Sequence, residues 1–334
     1  MNIGVISTAN IGVGYVVPAV EATDGATALA IASRDSERAE AAAEEVDIPR
    51  AYGSYADLLG DEDLDAVYNP LPNALHAEWT KRAADKGLDI LCEKPLAVDA
   101  AEAQEVTDYC ADRDVTLMEA FMYRYHPRTE RAAEIAGSQL GEIRHVDAAF
   151  HFALPDRDDI RLDPGLAGGS LMDVGCYAVT AARLFLGEPE WASATAVDRR
   201  DCGVETELTG LLGFENGATA AVSSGFDASI NRYTVIGSDG RMTVDESFVP
   251  DGETALTYTV DGRRVKERFD PVDQYQREVE AFVEAIRSGE QPRTNGAEAV
   301  ETMRAIDALY DSVERGERVS VDSNTATGPG RESR

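Results

Sequence analysis

Apolar positions along this chain follow two different rhythms. In the first 120 residues, short apolar runs at 3–6, 28–32, 66–68, 89–92 and 116–118 alternate with Ala/Glu/Arg-rich stretches at 36–46, 77–86 and 100–113. The runs read as buried strands and the stretches between them as helices. Strand–helix alternation of this kind predicts a doubly wound parallel sheet, an α/β domain over 1–122, with its ligand beyond the carboxyl ends of the strands.

From about residue 143 the rhythm changes. One helical segment follows Asp173, and then β-prone runs dominate at 191–197, 208–214, 218–224, 233–236, 242–244, 256–260 and 265–269. Glu215-Asn216-Gly217, Ser238-Asp239-Gly240 and Asp261-Gly262 between them favour tight turns and antiparallel pairing. The expectation is an α+β domain over 123–321, a large open sheet, mostly antiparallel, with helices on one face. Its other face is a candidate for subunit contact. Helical stretches at 274–287 and 297–315 close the domain, and 322–334, with almost nothing apolar, reads as a disordered tail.

Composition narrows the partners. The 334 residues carry 62 acidic and 31 basic side chains, a net charge of −31. Lysine occurs only at 81, 86, 94 and 266, so arginine supplies 27 of the 31 cations. Such a surface repels nucleic acid and anionic membranes, so neither is expected as a partner. Dispersed acids such as Glu40, Glu44, Asp61, Glu62 and Asp63 suit a cytoplasm of molar salt, where the Debye length shrinks to about 3 Å and self-repulsion costs little. No run of eighteen apolar residues and no signal peptide is visible, which predicts a cytoplasmic protein. Cys92, Cys110, Cys176 and Cys202 lack metal-ligand spacing, so no metal is expected and each reads as a small buried apolar residue.

The loop after the first strand, Ser7-Thr8-Ala9-Asn10-Ile11-Gly12, stands where a dinucleotide fold carries G-x-G-x-x-G. Ser7 and Ala9 replace the first two glycines and Gly12 keeps the third. Alanine is small enough for a pyrophosphate to approach, and the helix that follows presents free N–H groups. The second strand ends in Ser33-Arg34 instead of the acid that binds a ribose 2′-hydroxyl. A hydroxyl and a guanidinium suit a 2′-phosphate, which favours NADP. Asp35 next door leaves NAD open, or simply caps the next helix.

Two segments carry candidate chemistry. Glu93-Lys94-Pro95 offers a lysine fixed by a following proline, and Gly168 to Tyr177 offers Asp173 and Tyr177 one helical turn apart. Lysine, aspartate and tyrosine meeting in one pocket can move a proton while a nicotinamide moves a hydride. A lysine ammonium within about 4–6 Å should lower the tyrosine, whose ordinary pKa near 10 is too high for a base at neutral pH. Taken singly, a Lys-Pro after a strand is ordinarily a surface lysine, Asp173 a helix cap and Tyr177 packing. Arg161 and Asp163, just upstream of the glycine pair, read as lining the substrate mouth.

With these pieces in place, the chain resembles the glucose-fructose oxidoreductase/inositol dehydrogenase/MocA family from Met1 to about Val321. The resemblance rests on Asn69-Pro70-Leu71-Pro72-Asn73-Ala74-Leu75-His76, Glu93-Lys94-Pro95, the 119–127 run Glu-Ala-Phe-Met-Tyr-Arg-Tyr-His-Pro, and the 168–177 segment. It implies a Rossmann domain, a sheet domain that mediates homodimers or homotetramers, a nicotinamide cofactor and a sugar or polyol substrate. By position it implies Lys94, Asp173 and Tyr177 as the catalytic group, with Tyr177 where many members have histidine. It further implies cofactor contacts at Ser7, Thr8, Ala9, Asn10, Ile11, Ser33, Arg34, Pro70, Leu71, Asn73, His76, Glu93, Lys94 and Arg124. Substrate contacts are expected at Lys94, Tyr123, Arg161, Asp173 and Tyr177. A tyrosine at 177 is similar to the glucose-fructose oxidoreductase, xylose dehydrogenase and dihydrodiol dehydrogenase branch. The leading expectation is therefore NADP-dependent oxidation of a xylose- or glucose-like aldose at C1 to the lactone. Trans-dihydrodiol oxidation and a two-sugar oxidoreductase with tightly held NADP are the alternatives, and a non-catalytic nucleotide or sugar sensor is a third.

Overall fold

The computed structural model describes residues 1–156 and 158–321. The tail expected at 322–334 lies outside the described residues. Six strands form the first sheet: β1 (Asn2–Val5), β2 (Thr27–Ala32), β3 (Arg50–Tyr52), β4 (Ala66–Asn69), β5 (Asp89–Glu93) and β6 (Leu117–Ala120). All pairs are parallel and the order is β3-β2-β1-β4-β5-β6. The order reverses between β1 and β4, the point where such a sheet opens a crevice for a ligand. Helices α1 (Val17–Glu21), α2 (Ser36–Glu45), α3 (Tyr55–Leu58), α4 (His76–Ala84) and α5 (Ala100–Ala111) connect the strands. Aspartates start two of them. Asp35 accepts the N–H groups of Glu37 and Arg38, and Asp99 that of Glu102.

Helix α6 (Pro127–Gln139) opens the second half, with His126 Nδ1 accepting the Arg128 N–H and proline in its first turn. Then come β7 (Ile143–His151), α7 (Cys176–Leu186), β8 (Trp191–Val197), β9 (Glu207–Gly213), β10 (Thr219–Gly225), β11 (Ile230–Gly237), β12 (Gly240–Asp245), β13 (Thr254–Val260) and β14 (Arg263–Phe269). Helices α8 (Gln274–Ser288) and α9 (Gly296–Arg315) and the short β15 (Val319–Ser320) close the described chain. The nine strands lie in the order β14-β13-β12-β11-β7-β10-β9-β8-β15. Every pair is antiparallel except β7 with β10. The sheet is therefore mixed and mostly antiparallel.

Two elements depart from expectation. The stretch from 143 to 190 carries one expected element, the helix after Asp173, yet β7 lies at the centre of the sheet. Its pattern, Ile-Arg-His-Val-Asp-Ala-Ala-Phe-His, is too polar to stand out as a buried run, and its partners β10 and β11 lie about 75 to 90 residues away. Residues 127–139 carry no expected element, although Pro127 behind a capping His126 is a helix start. Helix α8 follows the second sheet in the chain but packs on the first domain, burying Val279, Phe282 and Val283 beside Val16, Val20 and Met118. Among the described residues no helix is long and apolar enough to cross a membrane.

The turn from β11 to β12 is pressed against the α6–β7 connection. A Cβ on Gly237 would lie 2.0 Å from the Leu140 carbonyl oxygen, a backbone atom that cannot swing aside. Gly237→Ala is expected to lower the urea midpoint, with an unfolding free energy about 1–3 kcal/mol smaller. An unchanged midpoint would show that this contact relaxes freely.

Candidate active site

Two wide turns face each other across the crevice. The loop after β1 closes with Gly12 and Val13 donating to the Ala9 carbonyl at 2.9 and 3.1 Å, and runs into a π-turn over Gly12–Val16. A second π-turn, Leu171–Gly175, leads into α7. Single π-turns recur at functional sites. Between them lies a cleft of about 380 Å³ reached by Ala9, Asn10, Ile11, Pro70, Leu71, Asn73, His76, Glu93, Lys94, Arg161 and Asp173.

Lys94 crosses this cleft. Its Nζ donates to the Asp173 carbonyl at 2.9 Å and meets Asp173 Oδ1 at 3.4 Å, so the second π-turn leaves that carbonyl open to an ammonium. Asp173 Oδ2 takes the Arg161 Nε–H at 2.8 Å, and Arg161 reaches back to Asp159. Cation, anion, cation and anion thus alternate along the rim. Burial opposes the Lys94 charge, but Asp173, Cys176 and Glu93 outweigh it and hold the ammonium above the ordinary lysine range. The same balance holds for Arg161, where Asp173 and Asp159 offset the burial. Both stay charged at neutral pH.

Tyr177 lies directly behind Lys94, with the ammonium 5.2 Å from its ring centroid. The ring is 3% exposed and packs against Phe121, Tyr123, Phe150 and Phe248. Its hydroxyl donates to Met122 Sδ at 3.3 Å. The expected lowering of this phenol is not what the structure holds. Burial, then the neighbouring Tyr275, Glu93, Cys176 and Asp173, push Tyr177 well above 10. Lys94 sits over the ring face and is engaged by Asp173, so it does little for the hydroxyl.

The remaining expected residues divide. Asn73 turns its amide to the Ala167 carbonyl at 2.9 Å, tying the cofactor side of the cleft to the loop that carries Arg161. Glu93 accepts the Tyr68 hydroxyl at 2.7 Å, and burial raises its carboxyl. His76 is fully buried, its Nδ1 2.8 Å from the Pro95 carbonyl and its Nε2 2.6 Å from that of Leu71. It binds two loops together. Burial pushes the imidazole down to about 4, so at neutral pH its single N–H serves one carbonyl at a time. Ser7 turns inward to accept the Ala9 N–H, and neither Ser7 nor Thr8 reaches the cleft. Tyr123, expected against substrate, is wholly buried with its hydroxyl on Thr180, because its ring completes the aromatic core. Arg124 is also buried, away from the cleft, its carbonyl taken by Arg293.

At the end of β2, Ser33 is buried, Arg34 is exposed, and the Asp35 carboxylate is engaged with the first N–H groups of α2. An exposed guanidinium with no ion pair among the described residues, beside an acid engaged at a helix end, fits a phosphorylated ribose. Tyr15, Ile160, Leu166 and Gly168 also line the cleft and were not foreseen. Tyr15 and Ile160, large apolar residues 49% and 51% exposed, border the fingerprint loop and Arg161. An exposed aromatic beside a phosphate-type loop was the signal available.

Sequence models of known families match both halves. Residues 1–121 match the oxidoreductase family with an NAD-binding Rossmann fold, and residues 131–243 match the GFO/IDH/MocA C-terminal domain. The chain belongs to the GFO/IDH/MocA family of oxidoreductases. Among its relatives, D-xylose 1-dehydrogenase (NADP(+)) 2 of Haloferax volcanii is 56% identical over 96% of this chain and 100% of its own. A dTDP-3,4-didehydro-2,6-dideoxy-alpha-D-glucose 3-reductase of Actinomadura kijaniata is 34% identical over 92% and 94%. A 3-ketoreductase from Actinomadura kijaniata, solved with NADP and TDP-benzene, superposes with a TM-score of 0.88 at 33% identity, covering 93% of this chain and 97% of that one. Aldose-aldose oxidoreductase from Caulobacter crescentus, complexed with glycerol, gives 0.90 at 28%, covering 96% and 99%.

Within this family site, Gly168 is the tightest point of the mouth. A Cβ there would lie 2.4 Å from the Arg161 carbonyl oxygen. Gly168→Ala is expected to displace Arg161 from Asp173, to cost about 10²-fold in kcat/KM and, as at Gly237, to lower Tm. Steady-state kinetics beside a thermal melt would check it, and parental kcat/KM would show that the mouth tolerates the shift.

Proposed function

We propose that this chain is an NADP-dependent aldose dehydrogenase that oxidises a pentose such as xylose at C1 to the lactone. The observation that carries the reading is the meeting of the Lys94 ammonium and the Asp173 carboxylate in the cleft, with the buried Tyr177 ring 5.2 Å behind the ammonium. The end-to-end likeness to a xylose dehydrogenase supports the choice of sugar. Ser33 and the exposed Arg34 support NADP over NAD. When bound, NADP supplies the ring carbon that takes the hydride and, in its oxidised form, a positive charge.

Lys94 donates to the sugar O1, and Asp173 accepts from a neighbouring hydroxyl, with Arg161 holding the carboxylate in place. Once its own proton has left to solvent, the Tyr177 phenolate takes the O1 proton as the C1–H pair leaves as hydride. Burial opposes that ionisation, so the phenolate forms only as positive charge is gathered near it. Its present partner, the Met122 thioether, is a weak acceptor and yields readily to a sugar oxygen. Solved structures of the 3-ketoreductase relative include a tyrosine-to-phenylalanine variant and a lysine-to-alanine variant, which supports attention to this pair.

The exposed apolar side chains Val197, Leu211, Ile230 and Ile236 share one face of the large sheet, which supports association of two or more copies through that face. An acidic surface and a haloarchaeal relative support work in a salt-rich cytoplasm. Likeness to an aldose-aldose oxidoreductase keeps a second reading in view, a two-sugar reaction without nucleotide release. A panel of aldoses and a trans-dihydrodiol with NADP+ separates the readings. Reduced nucleotide accumulating with xylose supports the first, lactone formed without free NADPH the second, and reaction with the diol alone overturns both.

Because the phenol is held above 10, oxidation should quicken as pH rises through the alkaline range. Tyr177→Phe should abolish that rise and lower kcat about 10²–10⁴-fold, leaving NADP+ binding as it was. Equal turnover in the variant would remove the phenol from the reaction. At the other end of the cofactor, Arg34→Ala should weaken NADP+ about tenfold to a hundredfold and NAD+ hardly at all, as titration of each nucleotide would show.

A further inference from the structure

The lysine that crosses the cleft sits on a short segment, and that segment is held from beneath. After β5 the chain passes through Lys94, Pro95 and Leu96. His76 faces the Pro95 carbonyl, and the Leu96 N–H donates to Glu119 Oε1 at 2.8 Å. Glu119 stands on β6, 2% exposed. Its own backbone is pinned on both sides, the N–H to the Thr294 carbonyl at 2.8 Å and the carbonyl to Thr294 Oγ1 at 2.6 Å. A carboxyl so deeply buried is costly unless it meets a need. Here the need is a backbone N–H two residues past Lys94, which any apolar side chain at 119 would leave orphaned.

The surroundings tie this carboxyl to both halves of the site. Glu93 and Cys92 face it from β5, Arg183 and Cys176 from α7, and Glu298 from α9. Helix α7 also carries Tyr177 in its first turn. Burial pushes Glu119 up, the Leu96 N–H and Arg183 pull it back, and it comes to rest at about 7. Its charge therefore changes near neutral pH.

We propose that Glu119 is a positioning residue for Lys94: by accepting the Leu96 N–H it sets the height at which the lysine segment meets Asp173. It touches neither sugar nor nucleotide. Once ionised it accepts that N–H more strongly, so the segment tightens and kcat rises as pH passes upward through about 7. The same ionisation opposes folding. A carboxyl raised from 4.5 to about 7 holds its proton better folded than unfolded, so stability falls as pH climbs between those values and the loss is complete above them.

The inference rests on Lys94 serving the proposed dehydrogenase reaction, and the test separates the two. In Glu119→Ala, kcat with xylose should fall at least tenfold at every pH while NADP+ binding stays parental. Glu119→Gln keeps an acceptor that cannot ionise. It should restore most of that kcat at pH 6, lack the rise near pH 7, and gain Tm over the parent from about pH 4.5 upward to a plateau above 7. Parental kcat in Glu119→Ala overturns the proposal, as does a rise near pH 7 that survives in Glu119→Gln, whether or not the alanine variant folds. If the parent itself fails to oxidise xylose, the function reading falls instead. Hydrogen exchange at the Leu96 amide then decides the positioning role, faster exchange in either variant supporting it and parental exchange in both overturning it.

Discussion

The Lys94 ammonium, just past β5 of the nucleotide-binding sheet, reaches into the other domain, where a carbonyl and a carboxylate of the same residue, Asp173, receive it. That contact can form only if β5 and the turn before α7 meet at the mouth of the first sheet's crevice. Much of the surrounding structure serves that meeting. Asn73 ties the cofactor loop to Ala167, Arg161 holds the far oxygen of Asp173, and α8 and α9 brace the two halves from behind. A buried ammonium without its anion would be untenable, so the pair also selects the closed arrangement of the halves.

Charge inside the site obeys different rules from charge on the surface. Outside, 62 acids against 31 bases leave a field that salt can screen. Inside, Lys94, Asp173 and Arg161 are matched within a few ångströms, and the carboxyls with no close ion pair among the described residues (Glu93, Glu119, Glu278) are all raised by burial. Glu278 is the extreme case. Neither of its carboxyl oxygens finds a partner among the described residues, which favours the neutral acid. The phenol of Tyr177 follows the same rule, pushed up by burial despite the ammonium over its ring.

Substitution of lysine by arginine over most of this chain sharpens the contrast. Arg161, Arg183 and Arg128 each use a fork of donors to hold several acceptors, a carboxylate pair or a row of carbonyls. Lys94 makes a different contact. A compact ammonium on a flexible stem can exchange a carbonyl for a sugar oxygen, whereas a guanidinium fork would bind Asp173 too rigidly to share.

How much of this was written in the residues themselves depends on range. Parallel strands buried on both faces leave apolar runs between turn residues, so the first sheet was legible, as were the hairpins marked by Asn216-Gly217 and Asp261-Gly262. Short motifs likewise announced Lys94, Asp173 and the Ser33-Arg34 pair, because their chemistry needs those residue types at those spacings. Strand β7 and the core role of Tyr123 were not legible, since both depend on partners far along the chain. Nor could the residues alone say that Tyr177 would turn its hydroxyl to Met122, or that His76 and Glu119 would clamp the lysine segment. Local pattern determined which elements form and which groups could react. Packing between distant segments decided which way each side chain faces, how dry it is, and therefore whether it holds its proton.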